Sequence, residues 1–201
     1  FLLDTVIQMS EYDSKWKTYY LDSLSRVDPD NAKKYEKKYD SVVSGLVENK
    51  LIPIIEKYGY PGERLTGVMV NGPLNDSYKR SYGNNYANVI LIHYYTWFTK
   101  CRFNDLLMKE VIKGNLNSQS YASFIDFQAR VKNSSSCNPM YYNEWHRTND
   151  STKFKDINKR RFKIGLSKFQ EIDEKYSRGK KICKDLKQGN YNHIKLFYWC
   201  G

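Results

Sequence analysis

Apolar residues in the first part of the chain recur at helical spacing. Leu2, Val6, Met9, Trp16, Tyr20 and Leu24 follow at three-, four- or seven-residue steps, predicting an amphipathic helix over about residues 1–26. Asp28-Pro29-Asp30 breaks the pattern and offers an N-cap for the next helix. That second helix is predicted from about Asn31 to Tyr58, with Tyr35, Tyr39, Val42, Val43, Leu46, Leu51, Ile54 and Ile55 among its apolar positions. Pro53 lacks an amide hydrogen and should kink or restart that helix. Gly59-Tyr60-Pro61-Gly62 ends it with a turn.

Residues 62–84 are glycine-rich and read as loop. The most apolar stretch comes next, Ala87 to Tyr95 within residues 85–98. It is too long for a typical strand, so it is predicted to be a buried central helix. Two further helices are expected at 101–113 and 118–130, split by Gly114-Asn115. The segment Val131 to Trp145 sets Ser-Ser-Ser-Cys-Asn-Pro between β-prone residues and predicts a hairpin. Helices resume near 156–161 and 167–176. No repeat and no long linker interrupts this order. The predicted architecture is a mainly α, single-domain helical bundle over 1–201 with one short β-hairpin.

Composition changes this picture in two places. The formal net charge is +11. Residues 153–195 hold 14 of the Lys and Arg against 5 acids, so basicity belongs to the last quarter. Solvated helix faces account for such a block; it also predicts weak, salt-sensitive contact with polyanions, without sequence preference. Four cysteines, Cys101, Cys137, Cys183 and Cys200, form no CxxC pair and have no histidine at ligand spacing, which argues against structural zinc. The even count suits disulfides and slightly favours export, to a periplasm or cell surface, over the cytoplasm. Cys183 and Cys200 bracket a short C-terminal stretch that a disulfide between them would tie down. No run of apolar residues is long enough to span a membrane.

Several landmarks come in a distinctive order. They are Lys57-Tyr58-Gly59-Tyr60-Pro61, Gly67, Leu91-Ile92-His93, Tyr121-Ala122-Ser123-Phe124-Ile125-Asp126, Met140-Tyr141-Tyr142-Asn143-Glu144 and Arg160-Arg161-Phe162-Lys163-Ile164-Gly165-Leu166. The order resembles a bacterial family known as a domain of unknown function. That family carries K-x-G-W-P, an apolar helix with a histidine, Y-A-x-L-x-D-R-V, a Q-x-Y-G-T hairpin and R-R-x-x-x-G-L. The resemblance covers about residues 9–170 and leaves about 171–201 as a basic extension. The family's early Asp-Gln would correspond to Asp13-Ser14. The chain departs from the pattern at Asn138 to Asn143, where only Tyr141 fits. In the D-R-V segment, counting from Tyr121 selects Asp126 and counting back from Tyr141 selects Arg130.

These residues suggest chemistry and also plainer roles. His93, on the apolar helix, can serve as a general base tuned by a carboxylate, or be a core histidine with one hydrogen bond. Asp126 sits among apolar neighbours and needs a partner: Arg130, His93, Arg160 or Arg161. Asp13 belongs to a helix face that can simply be solvated. Arg160 and Arg161 can grip a carboxylate or phosphate, or cap the hairpin. Tyr141 can donate to a ligand or merely pack its ring. No nucleophile elbow, P-loop or H-E-x-x-H occurs, and no cofactor or metal is indicated. Two functions arise as expectations: a domain binding a small or anionic ligand in a cleft near His93, or a hydrolase-like enzyme with His93 as general base oriented by Asp126. Both expect His93, Asp126, Tyr141 and Arg160 or Arg161 to surround one concavity.

Overall fold

The computed structural model describes residues 2–66, 86–97, 101–130, 141 and 151–188, with backbone alone at 95–97, 128–130, 151 and 186. Among these residues every regular element is helical. The hairpin expected at 131–145 lies outside the described residues, apart from Tyr141. The chain divides into two compact units, Phe1–Arg147 and Thr148–Gly201.

In the first unit, α1 spans Leu2–Lys17. It widens into π-type turns over Thr18–Leu24 and ends in a last turn, Ser25–Val27. The Tyr20 carbonyl accepts from Ser25 twice, from its backbone amide and, at 2.9 Å, from its hydroxyl. A single 3₁₀ turn, Pro29–Asn31, leads into α2, Ala32–Leu46. Another π-type segment, Val47–Leu51, then passes into α3, Ile52–Tyr58, with Pro53 in its first turn. The helical path does not stop at Pro53: Leu51 (φ −69°, ψ −44°) and Ile52 (φ −62°, ψ −47°) carry it through, and the missing amide hydrogen falls just after the widened turns instead of at a fresh start.

The apolar stretch forms α4, Tyr86–Trp97. Ala87, Ile90, Leu91 and Tyr94 are buried. Helices α1, α2 and α6 (Ser118–Arg130) pack against α4, which makes it central as expected. Val6 and Met9 of α1, Tyr39, Val43 and Leu46 of α2, and Phe124 and Ile125 of α6 fill the core around it. Helix α5, Asn104–Ile112, packs on α6. Burying such side chains contributes about 1.5–3 kcal/mol each, so packing rather than local propensity holds these helices.

Glu48, in the second π-type segment, meets three donors. It accepts from Tyr94 Oη at 3.1 Å, Arg102 Nη1 at 2.6 Å and Ser44 Oγ at 3.3 Å. Burial opposes its charge, but the Tyr94 and Arg102 contacts prevail and hold its carboxyl below the ordinary range. Asp40 on α2 is the opposite case. Its Oδ1 is buried with no hydrogen-bond partner. Burial, with Glu36 one turn earlier, pushes its carboxyl up to about 6. A raised carboxyl pKa means the folded chain holds the proton more tightly than the unfolded chain. Stability therefore falls as pH rises from about 4 to about 6, and stays lower above that. Asp40→Asn should raise stability by about 1 kcal/mol at pH 7, after discounting for solvent screening, and by almost nothing at pH 4. Urea unfolding at both pH values checks this; an equal effect at both would show that ionisation is not the cause.

The second unit holds α7, Phe154–Lys163, and α8, Phe169–Lys187. Gly165, at φ +75°, makes the left-handed step that ends α7. The Leu166 amide donates to the Arg161 carbonyl at 2.9 Å across this corner. Helix α8 runs well beyond the 167–176 expected for it. Neither Cys101 nor Cys183 is a free thiol. Cys137 and Cys200 lie outside the described residues, as does the expected Cys183–Cys200 pairing. No helix of the described residues is long and apolar enough to cross a membrane.

Candidate functional site

Helices α1, α2 and α4 each supply one polar side chain to a single point in the first unit. On α1, Val6, Met9, Ser10 and Asp13 form the buried stripe, three or four residues apart. Asp13 is fully buried, so its carboxylate must find donors inside the protein. It finds two. Tyr39 of α2 donates from Oη to Oδ1 at 2.8 Å. His93 of α4 places Nδ1 2.5 Å from Oδ2. The Tyr39 ring stands edge-on to the imidazole, with centroids 6.2 Å apart and planes at 71°.

This geometry divides the work. Burial, then the Asp13 charge, push the Tyr39 hydroxyl well above its ordinary range, so it remains a donor at any physiological pH. A carboxylate at Nδ1 favours the tautomer with the proton on that nitrogen, which leaves the Nε2 lone pair outward. The His93 side chain is 20 % exposed while Asp13 is 0 % exposed. The imidazole is thus fixed from the core side and reachable from the other.

Asp126 is not the carboxylate found on His93 Nδ1. It is 1 % exposed on α6 and accepts the Tyr141 backbone amide at 2.6 Å. The Tyr141 and Tyr121 rings meet at 6.0 Å and 68°. The backbone contact fastens Tyr141 to α6. The Arg130 side chain lies outside the described residues. Arg160 and Arg161 belong to the second unit. Arg161 is 2 % exposed. Its Nε donates to the Ser167 carbonyl at 2.8 Å and its guanidinium lies 5.0 Å from the Phe169 ring centre, so it braces the α7–α8 corner.

A cavity of about 690 Å³ runs beside α4. Tyr60, Asn88, Val89, Ile92, Ser120 and Phe124 contribute to its wall. His93 is not in that wall; it follows Ile92 directly and lies one turn after Val89 on the same face. The sequence pointed to His93 but not to Tyr39, which reads there as an apolar core position. Asp13 was assigned to a face that can be solvated. Its spacing of four from Met9 and three from Trp16 was the signal that it interrupts an apolar stripe.

Among the described residues no group of three or more His, Cys, Asp or Glu is placed to hold a metal. Comparison with family models, curated proteins and solved structures finds no match to the chain.

Proposed function

We propose that the first unit is an acid–base site acting on a small or anionic ligand, with His93 as the general base and Asp13 as its orienting partner. The observation that carries this reading is the buried Asp13, held by Tyr39 Oη and joined to His93 Nδ1 at 2.5 Å. In a hydrolytic step, Nε2 takes a proton from water as the oxygen attacks the substrate, and later returns it to the leaving group. Asp13 stabilises the imidazolium formed between those events. Tyr39 keeps the carboxylate from turning away. This reading keeps His93 in its expected role and replaces Asp126 by Asp13 as the orienting carboxylate.

The family resemblance supports the same reading, because Asp13 and His93 both fall on its landmarks. We further propose that the chain belongs to that bacterial family of unknown function over about residues 9–170 and is exported, with Cys183 paired to Cys200. The cavity beside α4 favours a second reading, a domain that binds a small or anionic ligand beside α4 without catalysis.

Chromogenic esters, phosphate mono- and diesters and glycosides, assayed from pH 5 to 9, separate the two readings. His93→Gln keeps a donor toward Asp13 but has no basic nitrogen. Turnover of one substrate class should fall by about 10²–10⁴-fold in this variant. Turnover that survives in His93→Gln removes the acid–base reading. Thermal stabilisation by phosphate or small carboxylates, without turnover, favours binding alone.

A further inference from the structure

The outer side of α1 and α2 carries a second feature that the His93 site does not use. Four aromatic rings run along α1 and its π-type continuation. Trp16 stacks on Tyr20 with centroids 5.4 Å apart and planes at 19°. Tyr12 and Tyr19 stand at steep angles to Trp16, at 6.1 Å and 5.7 Å. These two are 46 % and 48 % exposed. Soluble proteins rarely leave several large rings together at the surface without use for them.

The rings adjoin a cationic face. Lys38 of α2 lies 5.9 Å from the Tyr20 ring centre, and Lys50 lies 5.9 Å from that of Tyr12. Lys33, Lys34, Lys37, Lys38 and Ser41 line one shallow depression on α2. At about 100° per residue these positions span about 140° of the helix, with Asp40 at the edge of that arc beside Lys33 and Glu36 further round. Among the described residues none of the four lysines is within ion-pairing distance of a carboxylate, whereas Lys17 is paired with Asp22 at 3.8 Å. Four cations held close on a rigid helix repel one another, and a polyanion relieves that repulsion.

We propose that this face binds single-stranded nucleic acid without sequence preference, phosphates on the α2 lysines and bases on Tyr12 and Tyr19. The pairing of exposed rings with a cluster of lysines distinguishes this ligand. A purely charged polymer would use the lysines and leave the rings idle; a single strand uses both. The Trp16–Tyr20 stack fixes the platform, so little side-chain freedom is lost on binding. The cations of 153–195 belong to the other unit.

Fluorescence anisotropy of labelled 20-nucleotide oligo(dT) and oligo(rU) with the full chain tests the proposal. Four neutralised phosphates predict a log–log salt slope of about −3 from this face. Replacing Lys33, Lys34, Lys37 and Lys38 together by Gln should remove that share of the slope. Tyr12→Ala and Tyr19→Ala should each weaken binding by about fivefold or more while leaving the slope unchanged. All six side chains point outward, and circular dichroism confirms that the variants stay folded. Several results overturn the proposal. One is no binding of either oligonucleotide. Another is binding insensitive to both tyrosines, or heparin and anionic vesicles bound with the same dependence on them. A third is binding lost only when Lys180, Lys181, Lys184 and Lys187 are replaced.

Discussion

Asp13→Asn is expected to reverse the tautomer of His93 and to lower any His93-dependent turnover by about 10²–10⁴-fold. The Tyr39 hydroxyl donates to Oδ1, so the asparagine amide oxygen will settle there and turn its NH₂ toward Nδ1. An imidazole that accepts at Nδ1 must carry its proton on Nε2, and Nε2 can then no longer take one from water. Nitrogen NMR of the imidazole reads this directly. In the parent protein the neutral ring should show a protonated Nδ1, and in Asp13→Asn a protonated Nε2. Tyr39→Phe should give a smaller loss, because the carboxylate keeps its place on Nδ1 but loses one donor. The stability costs are separable. Asn fills the same volume with one poorer hydrogen bond, at about 1–3 kcal/mol. Asp13→Ala strands the buried Tyr39 hydroxyl and the half-buried His93, at about 3–5 kcal/mol. An unchanged tautomer in Asp13→Asn would mean that Asp13 is a packing residue and not an orienting one.

The sequence made α4 visible because nine nearly uninterrupted apolar residues leave few alternatives to a buried helix. It made a disturbance near Pro53 visible because the cause is a missing hydrogen on one residue, although the helix widens there and does not restart. The π-type segments were not visible. Widening a helix is a compromise reached in packing, here one that brings Glu48 to Tyr94 and Arg102, and no residue type announces it. The partner of His93 was hidden for a related reason. Asp126 is 33 residues from His93 in sequence and Asp13 is 80, yet helix packing decides which carboxylate meets the ring. Periodicity alone could have narrowed the choice, since a carboxylate on an apolar stripe must be buried with donors, and Asp13 is in that position.

The landmarks of the family resemblance separate on physical grounds. Arg161, Gly165 and Leu166 make the corner after α7, through a buried guanidinium, a left-handed step and a backbone hydrogen bond. The Lys57 to Pro61 landmark makes another corner, around Gly59. Asp126 fastens Tyr141. Asp13 and His93 carry none of these corner or fastening duties, and that is why the acid–base reading rests on them.

Gly59→Ala is expected to cost about 3–5 kcal/mol, a large part of the stability of a domain this size. Gly59 ends α3 with φ +92° and ψ 173°, a conformation essentially restricted to glycine. An added Cβ would lie 2.6 Å from Asn115 Nδ2 and 3.1 Å from Glu110 Oε2. Neither atom is free to retreat. Glu110 is fully buried and accepts from the Tyr60 amide, Asn115 Nδ2 and Lys113 Nζ, each at 2.8 Å. Burial opposes its charge, but these contacts prevail and hold its carboxyl below the ordinary range. The stability they contribute is present above about pH 4.5 and is lost as pH falls through the lowered value. Displacing Asn115 or Glu110 would break that hub as well as strain the backbone. Gly114 supplies the control. It too has a positive φ, +74°, but its added Cβ would meet nothing nearer than Arg64 Nη1 at 3.5 Å. Gly114→Ala should therefore show the backbone penalty alone, about 1–2 kcal/mol. Urea unfolding of the two variants at pH 7 measures the difference. Equal losses would mean that the Glu110 hub yields to the new methyl group and does not hold the corner.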